Sequence, residues 1–156
     1  MARLNTTDFH LRKLETNMQT FLPELDFFTC ALILDNKRLG KQRLEAMQIL
    51  NAMYNPKNHW YNHVAVRMWR GWEDCLKYYA NWIIREWKKR GFENNMKFYQ
   101  IPDVLQVPDW LMDERLHKSH KCNLMRKHPD YYRQFGWTDI DTEAPYWWPV
   151  ALKDPK

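Results

Sequence analysis

Trp69, Trp72, Leu76, Tyr79, Ile83 and Trp87 follow one another in steps of three or four residues. That interval is the period of an α-helix, and it draws one continuous apolar stripe along a single face. The spacing predicts a helix from about Val64 to Arg90. Gly91 is suited to stop it, and Lys88, Lys89 and Arg90 suit the negative end of its dipole. Six large side chains in register are better read as a core face than as a surface for stacking bases. Strand-like alternation is nearly absent, and there are only four glycines among 156 residues. The stripe therefore needs other helices as partners, and the chain reads as all-α.

Two more long helices are expected. Asp35 or Asn36 can cap one that runs to about Tyr54, with Leu39, Ala46, Met47, Leu50 and Tyr54 as its apolar positions. Lys37, Lys41, Glu45 and Gln48 fall together on another face of it. Gly40 lies inside this helix at a cost of about 1 kcal/mol relative to Ala. Either a close approach to the backbone or plain tolerance accounts for it. Another helix begins near Asp113 and ends before Pro129. Phe21 to Leu34 is apolar and suits a short helix after Pro23, and residues 55–58 form a turn. Residues 93–112, with Pro102 and Pro108, read as an irregular loop. The aromatic tail from Tyr131 to Trp148 is expected to cross the helices without regular structure. The fold class is thus a compact three-helix domain with an irregular aromatic C-terminal segment. Residues 1–17 read as an N-terminal arm or extension, and residues 18–156 as a single domain.

Charge and aromatic content bear on function. Nine Trp, eight Tyr and seven Phe make 15% of the chain. A domain this small cannot hide so many rings, so some are expected at the surface, and a dimer interface has room to form. The formal charge is +5 and the isoelectric point about 9.1, which favours an acidic partner such as nucleic acid. Between Arg115 and Arg133 six Lys or Arg stand against one Asp, a local excess equal to that of the whole chain. Cys30, Cys75 and Cys122 have no metal-ligand spacing and read as reduced thiols. Phe21 to Leu34 is interrupted by Glu24 and Asp26, too short and too charged to span a bilayer. No membrane association is expected, and the expected location is the cytoplasm.

Glu45 is the chemical focus. It closes the basic segment Leu34-Asp35-Asn36-Lys37-Arg38-Leu39-Gly40-Lys41-Gln42-Arg43-Leu44-Glu45. Cations there would hold phosphates, and a lone acid among them could move a proton or steady a developing cation. The plain alternative is a solvated helix face with a Lys41–Glu45 pair. Ser119 to Arg133 combines cations with Tyr131 and Tyr132, either a surface for phosphates and bases or a basic helix end followed by core tyrosines. His117 and His120 are three apart on one helix. No third ligand pairs with them, so no metal is assigned, and a phosphate or base contact suits them better. No phosphate-binding glycine loop and no nucleophile elbow is present, and no cofactor is called for. Removal of Met1 would expose the α-amine of Ala2, a usable nucleophile for Schiff-base chemistry.

These segments, taken in order, resemble the pyrimidine dimer DNA glycosylase family. Leu34 to Glu45 resembles the family segment that ends in the catalytic glutamate. Val66 to Phe92, closing Lys89-Arg90-Gly91-Phe92, is similar to its long central helix. Pro129-Asp130-Tyr131-Tyr132-Arg133-Gln134-Phe135-Gly136 resembles its C-terminal aromatic segment, and Ala2-Arg3-Leu4-Asn5 is similar to its start. The nearest likeness is to a little-characterised bacterial and phage branch. The resemblance implies an all-α N-glycosylase, a hydrolase that excises a damaged or modified pyrimidine from double-stranded DNA in base-excision repair. AP-lyase activity would be an optional second step. It implies Glu45 as catalytic acid and the Ala2 amine as the group that attacks the sugar C1′. Arg38, Lys41 and Arg43 would bind phosphates. His120, Lys121, Arg126, Lys127, Tyr131, Tyr132 and Arg133 would contact DNA. Two alternatives are N-glycosidic cleavage of a nucleotide or a phage-modified base, and a non-catalytic DNA-binding protein on the same fold.

Overall fold

The computed structural model describes residues 18–153. Ala2 and the expected arm lie outside these residues. The described chain is all helical: α1 (Phe27–Ile33), α2 (Asn36–Ala52), α3 (Val64–Trp69), α4 (Glu73–Lys89), α5 (Glu114–Lys127) and α6 (Pro129–Tyr132). Single 3-10 turns lie at Asp109–Met112 and Arg133–Phe135.

The helix expected over Val64 to Arg90 is two helices, not one. Gly71, at φ +90, sits in the left-handed region that glycine alone adopts freely, and it breaks the run between α3 and α4. The apolar stripe continues in phase across the break. Trp69, Leu76, Tyr79 and Ile83 are fully buried, and Trp72 and Trp87 pack against the same core. The stripe is therefore core, as its spacing predicts. Trp69 also donates from Nε1 to Thr20 Oγ1 at 2.9 Å, which settles the one polar atom of a buried indole. Gly91 ends α4 at φ +90, and the Gly91 amide donates back to Lys88 O. Arg90 does more than face a helix dipole. It pairs with Glu86 at 3.0 Å and donates to the Ala31 and Leu32 carbonyls at 3.2 Å, capping the end of α1 from a different helix.

α2 buries Leu39, Gln42, Ala46, Ile49 and Ala52. The expected apolar face is thus rotated at its C-terminal end: Tyr54 is exposed, and Met53 takes the core position. Gly40 faces α4 so closely that a Cβ there would lie 2.9 Å from two ring carbons of Trp87. Close helix approach, rather than tolerance, accounts for this glycine. The aromatic tail is also more regular than expected. It opens with α6, and Tyr132 stacks on Trp137 with ring centroids 5.7 Å apart.

The segment before α1 positions the site. Residues 19–22 have no regular secondary structure, so side chains must satisfy their backbone groups. The Phe21 amide donates to Gln42 Oε1 at 2.8 Å, and the Leu22 amide donates to His120 Nδ1 at 2.8 Å. Tyr79 Oη lies 2.9 Å from Phe21 O, and His117 Nδ1 lies 2.7 Å from Leu22 O.

Candidate active site

Glu45 lies in the third turn of α2, on the face that also carries Lys37 and Lys41. Four-residue steps stack these side chains one above another. Together with Gln19, Phe21, Arg38, Gln42 and Lys127 they line a cleft of about 200 Å³. That volume is small beside an ordinary small-molecule pocket and admits part of a nucleotide. Four of the eight lining residues are cations, and Glu45 is the only acid among them.

The carboxylate is held in place. Gln42 Nε2 donates to Glu45 Oε2 at 2.9 Å and to Gln19 O at 2.8 Å, while Gln42 Oε1 accepts from the Phe21 amide. Tyr79 Oη, 2.9 Å from Gln42 Oε1, takes the fourth hydrogen-bonding direction of this buried carboxamide, so its orientation is fixed. The Gln19 amide reaches the same Glu45 oxygen at 3.4 Å. Even so, burial pushes the Glu45 carboxyl up to about 7. The Gln19 amide, Lys41, Gln42 and Lys127 oppose that rise without cancelling it. A carboxyl with this value is divided between acid and carboxylate at neutral pH, the condition under which one group can both give and take a proton.

The expected DNA contacts divide sharply. Arg38, Lys41 and Lys127 line the cleft with Glu45. Arg43 does not, because two residues along a helix is more than half a turn. Its guanidinium lies 4.9 Å over the Trp87 ring and donates to Asn94 Oδ1 at 2.7 Å, lining a separate hollow with Glu93 and Asn95. His120 is fully buried. Its Nδ1 accepts from Leu22, and burial drives the ring down to about 3, so it is neutral. Tyr132 is fully buried as well. Its hydroxyl donates to Asp35 Oδ1 and accepts from the Asp35 amide at 3.1 Å. These two residues were expected to touch DNA, but the core encloses them and their partners are internal. Tyr131 is half-buried and donates to Ile33 O at 2.9 Å. Lys121 pairs with Glu24 at 3.2 Å, Arg126 reaches Ala144 O at 3.2 Å, and the exposed Arg133 pairs with Asp130.

Sequence reasoning missed Gln42 and Gln19. Gln42 stands three residues before Glu45, a spacing that places two side chains side by side on a helix, and that signal was readable. Gln19 shows its part only when the segment before α1 is seen beside α2. Among the described residues no group of three His, Cys, Asp or Glu is placed to hold a metal ion. No described helix is long and apolar enough to cross a membrane. Cys30, Cys75 and Cys122 are free and buried.

Searches against curated proteins and against solved structures return no match. A family model described as pyrimidine dimer DNA glycosylase matches residues 18–100. The match spans more than half of the chain, from the segment before α1 through α4, and includes Glu45 and Gln42. On that match, and with an all-α fold that agrees with it, the chain belongs to the pyrimidine dimer DNA glycosylase family.

Proposed function

We propose that the protein is a DNA glycosylase that excises damaged or modified pyrimidines from duplex DNA, with Glu45 as the proton-transferring residue of the reaction. Family membership supports the repair role. The observation that carries the assignment of Glu45 is its setting: a desolvated carboxyl, fixed by Gln42 and the Gln19 amide, at a cleft where it is the one acid beside four cations.

The chemistry follows from that setting. Lys37, Arg38 and Lys41 attract the phosphates on either side of the target nucleotide and supply the salt-dependent part of affinity. The target base must leave the stack for its glycosidic bond to reach Glu45. A protonated Glu45 neutralises the leaving pyrimidine, and the carboxylate that results steadies the positive charge developing at C1′. Gln42 acts as a positioning residue by holding Oε2. An AP-lyase step also requires an amine within reach of C1′. The resemblance nominates the α-amine of Ala2, which lies outside the described residues.

The test is release of the pyrimidine from its sugar in an ultraviolet-irradiated duplex, read as abasic sites and strand breaks because a pyrimidine cut from a dimer stays joined to its partner base, and compared between wild type and Glu45→Gln. The expected result is release by wild type and a fall of about 10²–10⁴-fold in the variant, the usual worth of general acid–base catalysis, with duplex affinity preserved. Equal release by the two proteins would overturn the role of Glu45. Salt-dependent binding with no release by either would make the chain a DNA-binding protein on a glycosylase fold. Release from free nucleotides, independent of duplex length, would move the substrate from DNA to small molecules.

A further inference from the structure

Lys127 lies in the last turn of α5 and shares the cleft with Glu45, although 82 residues separate them in sequence. We propose that the Lys127 ε-amine is the nucleophile of a lyase step at this cleft, forming an imine with the deoxyribose C1′ of the nucleotide that Glu45 acts upon. The proposal rests on the glycosylase reading above and extends it to a residue outside the matched segment.

Three observations support it. Lys127 is half-buried, whereas Lys37 and Lys41, the other two lysines of the cleft, are exposed. Among the described residues its ammonium makes no ion pair and no hydrogen bond. Its neighbours on α5 are engaged: Lys121 with Glu24, Lys118 with Thr138 O, and Arg126 with Ala144 O. A basic side chain left unpaired in a cleft lined by Arg38 and Lys41 is poorly placed for stability and well placed for attack. Burial lowers its proton affinity most, and Arg38, Arg126 and Lys41 lower it further, while Glu45, when charged, raises it. Desolvation and neighbouring cations are the two devices that turn lysine into a nucleophile near neutral pH.

The step balances with the groups present. Glu45, as the acid, gives its proton to the leaving pyrimidine. The Nζ lone pair forms the bond to C1′ as the C1′–N bond breaks. One Nζ proton then passes to the Glu45 carboxylate and on to O4′ as the C1′–O4′ bond opens, leaving a protonated imine. The Glu45 carboxylate, free again, takes a C2′ proton as the C3′–O3′ bond breaks and the 3′ phosphate leaves. Water hydrolyses the imine and restores the amine.

The experiment uses the full chain with two duplexes, one ultraviolet-irradiated and one carrying a single abasic site, each incubated with sodium borohydride. Borohydride reduces an imine to a stable secondary amine, and peptide mapping by mass spectrometry locates it. The expected result is an adduct on Lys127, and its loss in Lys127→Arg, which keeps the positive charge. Mapping the wild-type adduct needs no variant, so poor folding of Lys127→Arg would not obscure the answer. An adduct on the N-terminal peptide, or base release with no adduct on either duplex, overturns the role of Lys127 and leaves the glycosylase standing. Neither release nor adduct overturns both.

Discussion

Two polar groupings flank the start of α2, and they behave in opposite ways. In one, Asp35, Tyr132 and Arg38 satisfy one another: the tyrosine hydroxyl both donates to and accepts from Asp35, and Arg38 pairs with the other carboxylate oxygen at 3.3 Å. In the other, less than three turns along the same helix, burial leaves Glu45 only partly ionised at neutral pH, and Lys127 makes no hydrogen bond or ion pair among the described residues. The first arrangement holds helices together. The second leaves charges short of solvation and partners, which weakens a fold and equips a reaction. Residue types alone did not separate the two, since both are mixtures of acid, base and ring. Satisfaction of hydrogen bonds does.

The widest separation should appear in rate. Tyr132→Phe should release base nearly as fast as wild type per folded molecule, while Glu45→Gln loses about 10²–10⁴-fold. A Tyr132→Phe enzyme as slow as Glu45→Gln would place both groupings in one machine and break the distinction. Stability should show the reverse order. Removing the Tyr132 hydroxyl leaves the Asp35 amide and carboxylate short of a partner in a buried setting, which should cost about 1–3 kcal/mol in urea unfolding. An unchanged midpoint would mean that Asp35 finds another donor.

The pH dependence of stability is the most diagnostic. The folded Glu45 value lies above the unfolded one, so its stabilising contribution is complete below about 4.5 and is lost as pH rises through about 7. Glu45→Gln has no charge to desolvate. It should therefore gain on wild type by on the order of 1–3 kcal/mol at pH 8, and the gain should disappear by pH 4. The urea midpoints of both proteins at the two pH values decide it. An equal difference at both would assign the effect to shape rather than to charge.

Much of the fold was legible because its signals are local. The stripe from Trp69 to Trp87, the stop at Gly91 and the helix opening at Asp113 each depend on a few consecutive residues, and each lies where the sequence places it. The break at Gly71 was hidden because Trp69 and Trp72 keep the phase on either side. On α2, the cleft face was readable from the spacing of Lys37, Lys41 and Glu45. What the helix faces was not: Gln19 and Lys127 lie 26 and 82 residues from Glu45, and no local pattern reports such a meeting. The basic and aromatic run from Ser119 to Arg133 looked like a nucleic-acid surface because composition does not say which way a side chain points. His120 and Tyr132 point inward.

The segment at residues 19–22 borrows its bonds from four separate helices: Gln42 and Glu45 on α2, Trp69 on α3, Tyr79 on α4, and His117 and His120 on α5. No one of these helices can hold it alone. The segment should therefore lock last as the chain folds, and it should open only when the whole core opens. Hydrogen exchange can date this step: the Phe21 and Leu22 amides should exchange as slowly as the most protected helical amides. Fast exchange at those two amides would mean that the segment frays independently. If they are slow, no partly folded form of this protein carries a working cleft, and competence for chemistry arrives together with the completed fold.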